Sequence, residues 1–259
     1  MNWRLGVVGQ PVAHSRSPRL HETGLQLVGL TGSSRRLEMG HDAAAAIRRV
    51  MADFDALSVT MPLKGVLGHY CDELDDVAAR TGSLNTLWWD GERLRGASTD
   101  GPGLLDALAA EFGFDADGAH AVVLGAGGAA RAIVDALVGA GASTVVVHGR
   151  TLTNVEVLTA RYDNVFDFSQ TLRPVDVIVN TVPASGRAHE VAVRQGVGEH
   201  TLAVDIVYDP VMTPWRDLHR RHGCASTNGL SMLAYQAARQ MTLWWGVDVD
   251  GAALVKVLR

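Results

Sequence analysis

The apolar positions of this chain fall into short runs whose spacing predicts alternating strands and helices. Leu5–Gly9 is a continuous apolar stretch of strand length. Ser17-Pro18 supplies an N-cap and a first-turn proline, so a helix is expected from there to about Gly29. A second strand near Ser34–Glu38 and an alanine-rich helix over Asp42–Met51 precede a strand that ends at Thr60. Helical segments are expected around Leu63–His69 and Glu73–Ala79. A hairpin follows, with strands at Asn85–Trp88 and Arg93–Arg95 about a turn at Asp90-Gly91.

Beyond Asp100 the pattern changes. Apolar strands at His120–Leu124, Ser143–Val147, Val175–Asn180 and Leu202–Asp205 alternate with helices at Gly128–Gly139, Asn154–Arg161 and Pro214–Arg221. Such alternation implies parallel βαβ units. A long helix over Gly229–Trp245 and a short one over Asp250–Val257 close the chain. The expected fold is α/β, and the change of pattern near Asp100 divides it into two domains.

Composition narrows the function. The 47% hydrophobic and 20% charged content of these 259 residues gives ample core. The net charge is −5 and no run of Lys or Arg exceeds a pair, which argues against nucleic-acid binding. Two cysteines make no disulfide framework, and no apolar stretch is long enough to span a bilayer. The N-terminal run meets Gln10-Pro11 too soon for a secretory signal, so a cytoplasmic protein is expected.

Two features carry candidate chemistry. Arginine supplies 21 of the 23 basic residues, so Lys64, just past Pro62 at an expected strand end, stands out. Lysine can give and take a proton where arginine cannot, and ligands bind at strand ends of open α/β sheets. The second is Gly125-Ala126-Gly127-Gly128-Ala129-Ala130, a G-x-G-x-x-A turn between an expected strand and helix. It fits a dinucleotide pyrophosphate at a helix N-terminus. The following strand ends in His148-Gly149-Arg150-Thr151 with no acid to hold a ribose 2′-hydroxyl. Arg150 suits a 2′-phosphate instead, which favours NADP and leaves NAD open. His219, His222 and Cys224 lie close in sequence, but two arginines intervene and no fourth ligand has recognised spacing, so no metal is expected.

Seven segments in order then identify a resemblance to the shikimate dehydrogenase family. They are Gly9-Gln10-Pro11-Val12-Ala13-His14-Ser15-Arg16-Ser17-Pro18, Ser58-Val59-Thr60-Met61-Pro62-Leu63-Lys64, Gly82-Ser83-Leu84-Asn85-Thr86, Ser98-Thr99-Asp100-Gly101, the glycine turn, Asp205-Ile206-Val207-Tyr208-Asp209-Pro210, and Gly229 through Ala237. The resemblance implies an N-terminal α/β substrate domain (1–100 plus 230–259) and a Rossmann-like nucleotide-binding domain (101–229). It implies that Ser15 and Ser17 hold a substrate carboxylate, with Thr60 and Tyr208 lining that pocket. It implies that Lys64, Asn85, Asp100 and Gln236 contact ring hydroxyls, with Lys64 and Asp100 flanking the carbonyl that is reduced. Whether Lys64 donates the proton or only polarises the carbonyl stays open. The cofactor side would comprise Gly125, Ala126, Gly127, Gly128, Ala129, Arg150, Thr151, Thr181, Gly229 and Met232. The partners implied are a small-molecule substrate and at most a second copy of the chain, as monomer or homodimer.

Taken singly, these residues have plainer readings. Ser15 and Ser17 read equally as turn and cap residues, Asp100 as a helix N-cap and Asn85 as a turn residue. Some positions depart from the family pattern. Ser58 and Ser98 stand where it has asparagine, and Glu22 stands where asparagine often follows His21. The segment Gly149-Arg150-Thr151-Leu152-Thr153-Asn154 keeps one of two expected cations, and Asn180 through Gly186 fits the N-T-x-P-x-G loop loosely. Rival readings are an NAD-dependent quinate/shikimate dehydrogenase and a paralogue that binds these ligands without turnover.

Overall fold

The computed structural model describes residues 2–167, 174–182 and 197–258. Two compact units emerge, Met1–Asp106 with Leu233–Arg259, and Ala107–Met232.

The first unit is built on a mixed sheet of β1 (Asn2–Gly9), β2 (Thr31–Glu38), β3 (Ala56–Val59), β4 (Glu73–Leu74), β5 (Thr86–Asp90) and β6 (Arg93–Ala97), in the order β2-β1-β3-β5-β6-β4. β1 pairs parallel with β2 and β3, and the β5–β6 hairpin joins antiparallel to β3. Leu5 to Gly9 is wholly buried, as expected of a central strand covered on both faces. Between β1 and β2 runs α1 (Ser17–Leu27), with Pro18 in its first turn and Leu20, Gly24 and Leu25 buried. Ile47, Met51, Phe54, Leu57, Leu63 and Leu87 fill the core over the sheet. Burying such a side chain contributes about 1.5–3 kcal/mol.

Several local expectations need correction. The alanine-rich stretch is not one α-helix: His41–Ala46 is 3-10, α2 is only Ile47–Val50, and Met51–Asp53 is 3-10 again. Its buried positions, Ala44, Ile47 and Met51, give too narrow an apolar stripe to hold a longer helix. The helix expected from Glu73 begins as β4, and α3 (Asp76–Thr81) starts only after Asp75, whose carboxylate accepts from the Ala78 amide at 2.7 Å. Before it, only Leu67–Tyr70 is helical, as a 3-10 turn. A helix that the sequence pattern did not announce, α4 (Asp100–Phe112), opens on Asp100. Gly101, Pro102 and Gly103 at its start read as a turn, but a Cβ at Gly103 would lie 2.6 Å from the backbone of Gln236, so glycine is required by close helix packing.

The second unit contains β7 (His120–Leu124), α5 (Gly128–Gly139), β8 (Thr144–His148), α6 (Leu152–Thr159), β9 (Val165–Asp167), β10 (Val177–Asn180), β11 (Leu202–Asp205), α7 (Pro214–Arg221) and β12 (Ala225–Asn228). Its sheet runs β12-β11-β10-β7-β8-β9, with each neighbouring pair parallel. Strand order reverses between β7 and β10, the place where doubly wound sheets bind ligands. β9 and β12 were not expected: one is three residues long, and the other, Ala-Ser-Thr-Asn, lacks a buried apolar run. The chain ends with α8 (Gly229–Trp245) and α9 (Gly251–Leu258). Among the described residues no helix is long and apolar enough to cross a membrane.

Candidate functional site

In the first unit, four of the expected substrate residues meet. β3 ends at Val59, Lys64 follows five residues later, and its Nζ donates to Asp100 Oδ2 at the first residue of α4. The Lys64 side chain is 18% exposed and that of Asp100 4%, so one end of the pair is open to solvent. Asn85 is buried just before β5, and its Nδ2 donates to Asp100 Oδ1 at 2.8 Å and to Gln236 Oε1 at 3.0 Å. The Thr99 amide donates to Asn85 Oδ1 at 2.8 Å, which fixes the orientation of that amide. Gln236, on α8, donates through Nε2 to Leu233 O at 2.7 Å. Ion pair, amides and helix start thus form one hydrogen-bonded group, in which a buried polar atom without a partner would be costly.

The other expected substrate residues of this unit lie on the loop after β1 and at the end of β3. Ser15 and Ser17 are both buried, and Ser15 Oγ donates to Ser17 Oγ at 3.2 Å. Arg36 on β2 donates through Nε and Nη2 to the Ser15 carbonyl at 2.9 and 2.6 Å, anchoring the loop. Thr60 packs against Gly9, where an added Cβ would lie 2.4 Å from Thr60 Cγ2. Two buried serine hydroxyls near a helix N-terminus, with a guanidinium on the adjacent carbonyl, suit a carboxylate. Tyr208 stands half-buried in the second unit, on the loop after β11.

The glycine turn of the second unit has the conformation that a pyrophosphate site needs. Gly125 has φ +117°, where a side chain would be strained and a Cβ would lie 2.1 Å from Thr181 Oγ1. Thr181 is held in place by its own hydroxyl donating to Leu124 O at 2.8 Å. At Gly127, the N-cap of α5, a Cβ would meet no heavy atom of the described residues within 4 Å, so on that side the backbone is open to an incoming group. Gly128 and Ala129 form the first turn of α5, while Ala126 is buried beside Gly149. These residues fit a dinucleotide. Arg150 and Thr151 are exposed ahead of α6, and Thr151 is its N-cap residue. Gly229 donates to Val207 O at 3.4 Å, and Met232 is buried one turn on. Of the expected N-T-x-P-x-G loop, Pro183, Ala184, Ser185 and Gly186 lie outside the described residues.

Some residues gain roles that the sequence did not announce. Asp205, buried at the end of β11, accepts from Asn180 Nδ2 at 3.0 Å and from the Val207 amide at 3.2 Å, and burial raises its carboxyl above the usual range. It thereby ties β10 to the loop carrying Tyr208, which an acid at a strand end could have signalled. His21, Ser58 and Gln240 are also buried and linked, through contacts far apart in sequence. In the set-aside cluster, the His219 ring stacks on Trp215 and donates from Nδ1 to the Trp215 carbonyl, and Cys224 Sγ donates to Gly198 O.

Comparison with known proteins gives these geometries a context. Residues 7–87 match the model of the shikimate dehydrogenase substrate binding domain, and residues 107–208 match that of shikimate / quinate 5-dehydrogenase. A shikimate dehydrogenase (NADP(+)) of Exiguobacterium sibiricum is 38% identical over 267 residues, covering 99% of this chain and 97% of its own. One from Acidiphilium cryptum is 38% identical over 258 residues, covering 95% and 92%. Shikimate 5-dehydrogenase from Thermus thermophilus, crystallised with NADP(H) and shikimate, superposes with a TM-score of 0.86 at 32% identity, covering 98% of each chain.

Proposed function

Because this chain belongs to the shikimate dehydrogenase family, we propose that it catalyses the reversible NADPH-dependent reduction of 3-dehydroshikimate to shikimate, within aromatic amino-acid (chorismate) biosynthesis. The observation that carries this reading is the Lys64–Asp100 pair, built into one buried group with Asn85 and Gln236. Bound NADPH would supply the hydride. As charge gathers on the ketone oxygen, the Lys64 ammonium stabilises it, and a proton must follow. Both Asp100 oxygens already accept hydrogen bonds, from Lys64 and from Asn85, so Nζ is the proton-bearing atom of the pair. Asp100 holds that ammonium in place, while Asn85 and Gln236 hold the ring hydroxyls together with the pair.

Ser15 and Ser17 take the substrate carboxylate with Thr60 beside them, and Tyr208 is a further substrate residue. Gly125, Ala126, Gly127, Gly128 and Ala129 form the turn that receives the pyrophosphate at the positive end of α5, with the Gly125 amide itself held by His148 O at 2.6 Å. Arg150, with Thr151 beside it, takes the 2′-phosphate, and Thr181, Gly229 and Met232 complete the cofactor side. Both cysteines are free, in keeping with a reducing, cytoplasmic setting, and the enzyme would act as a monomer or homodimer.

The test is nicotinamide absorbance with shikimate, run in parallel with NADP⁺ and NAD⁺ and then with quinate. Turnover of shikimate chiefly with NADP⁺ is expected. Preference for NAD⁺ with turnover of quinate would replace this reading by the quinate/shikimate one. A folded protein inert with both cofactors would point to a binding paralogue.

A further inference from the structure

Behind the catalytic group lies a buried line of polar side chains whose hydrogen atoms can be placed by elimination. Gln240 on α8 faces two acceptors from one end of its amide: Asn85 O at 2.9 Å and Gln236 Oε1 at 2.8 Å. Only nitrogen can stand there, so Gln240 Oε1 faces Ser58, whose hydroxyl lies at 2.6 Å and must donate its single hydrogen to it. Ser58 Oγ then has only lone pairs left for His21 Nε2 at 2.9 Å, so Nε2 carries a hydrogen. The ring is neutral, since burial pushes the His21 pKa down to about 3, and Nδ1 therefore accepts from the Ser34 hydroxyl at 2.8 Å. At the far end, Gln236 Oε1 receives both Gln240 Nε2 and Asn85 Nδ2, while Gln236 Nε2 is turned to Leu233 O. From Ser34 to Gln236, every donor in the line points the same way. His21, Ser58, Gln240, Gln236 and Asn85 are all buried, and the Trp244 ring packs edge-on to His21 with centroids 5.2 Å apart.

We propose that His21, Ser58 and Gln240 form a one-way hydrogen-bond relay onto Gln236 Oε1 that helps hold the Gln236 amide, making the three of them positioning residues for the reaction. A Gln236 amide locked in this sense has its oxygen filled by two donors and one Nε2 hydrogen on Leu233 O, so what it has left for a ring hydroxyl is the second Nε2 hydrogen. If Ser58 loses its hydroxyl, Gln240 Oε1 is left without that donor in a dry interior, and Gln240 is freed to turn away from Gln236 Oε1. From His21 Nε2 to Gln236 the direction of the relay stands on the hydrogen-bond geometry, and burial of the neutral ring adds the Ser34 link. Its effect on turnover rests on the proposed roles of Asn85, Asp100 and Gln236.

Two measurements on the full chain separate these points. Ring ¹⁵N shifts of His21, assigned through His21→Gln, should show the neutral Nε2–H tautomer near neutral pH; an Nδ1–H tautomer or an imidazolium there would overturn the relay whether or not the protein turns over shikimate. Ser58→Ala should lower kcat/KM for shikimate about tenfold, the scale of one lost buried hydrogen bond, with Ser58→Thr restoring most of it. In a Gln236→Ala background the same change should cost less than about twofold, because the two act through one path. Independent, multiplicative losses in that cycle would mean that Ser58 acts only on stability and would overturn the positioning role. Should Ser58→Ala not fold, Gln240→Met carries the same cycle. Failure of wild-type protein to turn over shikimate would count against the proposed function and leave the tautomer result to decide the relay.

Discussion

The two units of this chain prepare for their ligands by opposite means. The first uses side chains: Lys64, Asp100, Asn85 and Gln236 hold one another by hydrogen bonds between β3, β5, α4 and α8. The second uses backbone: Gly125 makes a close turn against Thr181, Gly127 leaves open space among the described residues at the start of α5, and the structural work there is to keep side chains away. A side-chain site concentrates its function in a few irreplaceable atoms. A backbone site spreads recognition over several amides and fails when something is added.

The largest expected effect is therefore on the side-chain site. Lys64→Ala should lower kcat by about 10²–10⁴, the range for a positioned acid–base group, while shikimate still binds by calorimetry. Unchanged turnover would remove Lys64 from the chemistry and erase the contrast. On the backbone site the damaging change is an addition. Gly125→Ala forces a residue into φ +117° and a Cβ against Thr181 Oγ1, and should cost about 1–3 kcal/mol in thermal unfolding together with much of the NADP⁺ affinity.

A third outcome concerns the interior of the side-chain unit. Burial lowers the His21 pKa from 6.5 to about 3. Below pH 6.5 the unfolded chain takes up a proton that the folded chain refuses, so stability is complete above that pH and is lost as pH falls toward 3. By pH 5 the loss should be about 2 kcal/mol, seen as a falling Tm whose slope is reduced in His21→Gln. A pH-independent difference between the two proteins would show that His21 titrates normally. The smallest effect is at the exposed rim of the backbone site. Arg150→Ala should reduce the NADP⁺-over-NAD⁺ ratio of kcat/KM about fivefold, as one solvent-exposed Arg–phosphate contact allows. An unaltered ratio would assign phosphate recognition to other residues.

The same contrast explains what could be read from the chain beforehand. β7, the glycine turn and α5 are contiguous, and their apolar run, glycine spacing and helix period all lie within twenty residues, so local pattern sufficed. The central strand β1 was legible because burial on both faces leaves an unbroken apolar run. α4 was not, because Gly103 answers to the packing of α8, an element more than a hundred residues away. The resemblance pointed to Lys64, Asn85, Asp100 and Gln236 as a set. Behind them it marked Ser58, as a departure from the family's asparagine, but not its partner, since the Ser58–Gln240 bond spans 182 residues. Arg36 was likewise silent, as its partner is a main-chain carbonyl that no side-chain pattern records.

The scarcity of lysine has a practical side. An amine-directed acylating reagent meets two lysine side chains, Lys256, exposed in α9, and Lys64, 18% exposed and held by Asp100. Lys256 provides an internal standard for reagent dose. The ratio of the two modified peptides in a mass spectrum therefore turns Lys64 into a built-in reporter of how often its ammonium leaves Asp100, and of how fully a ligand shields it.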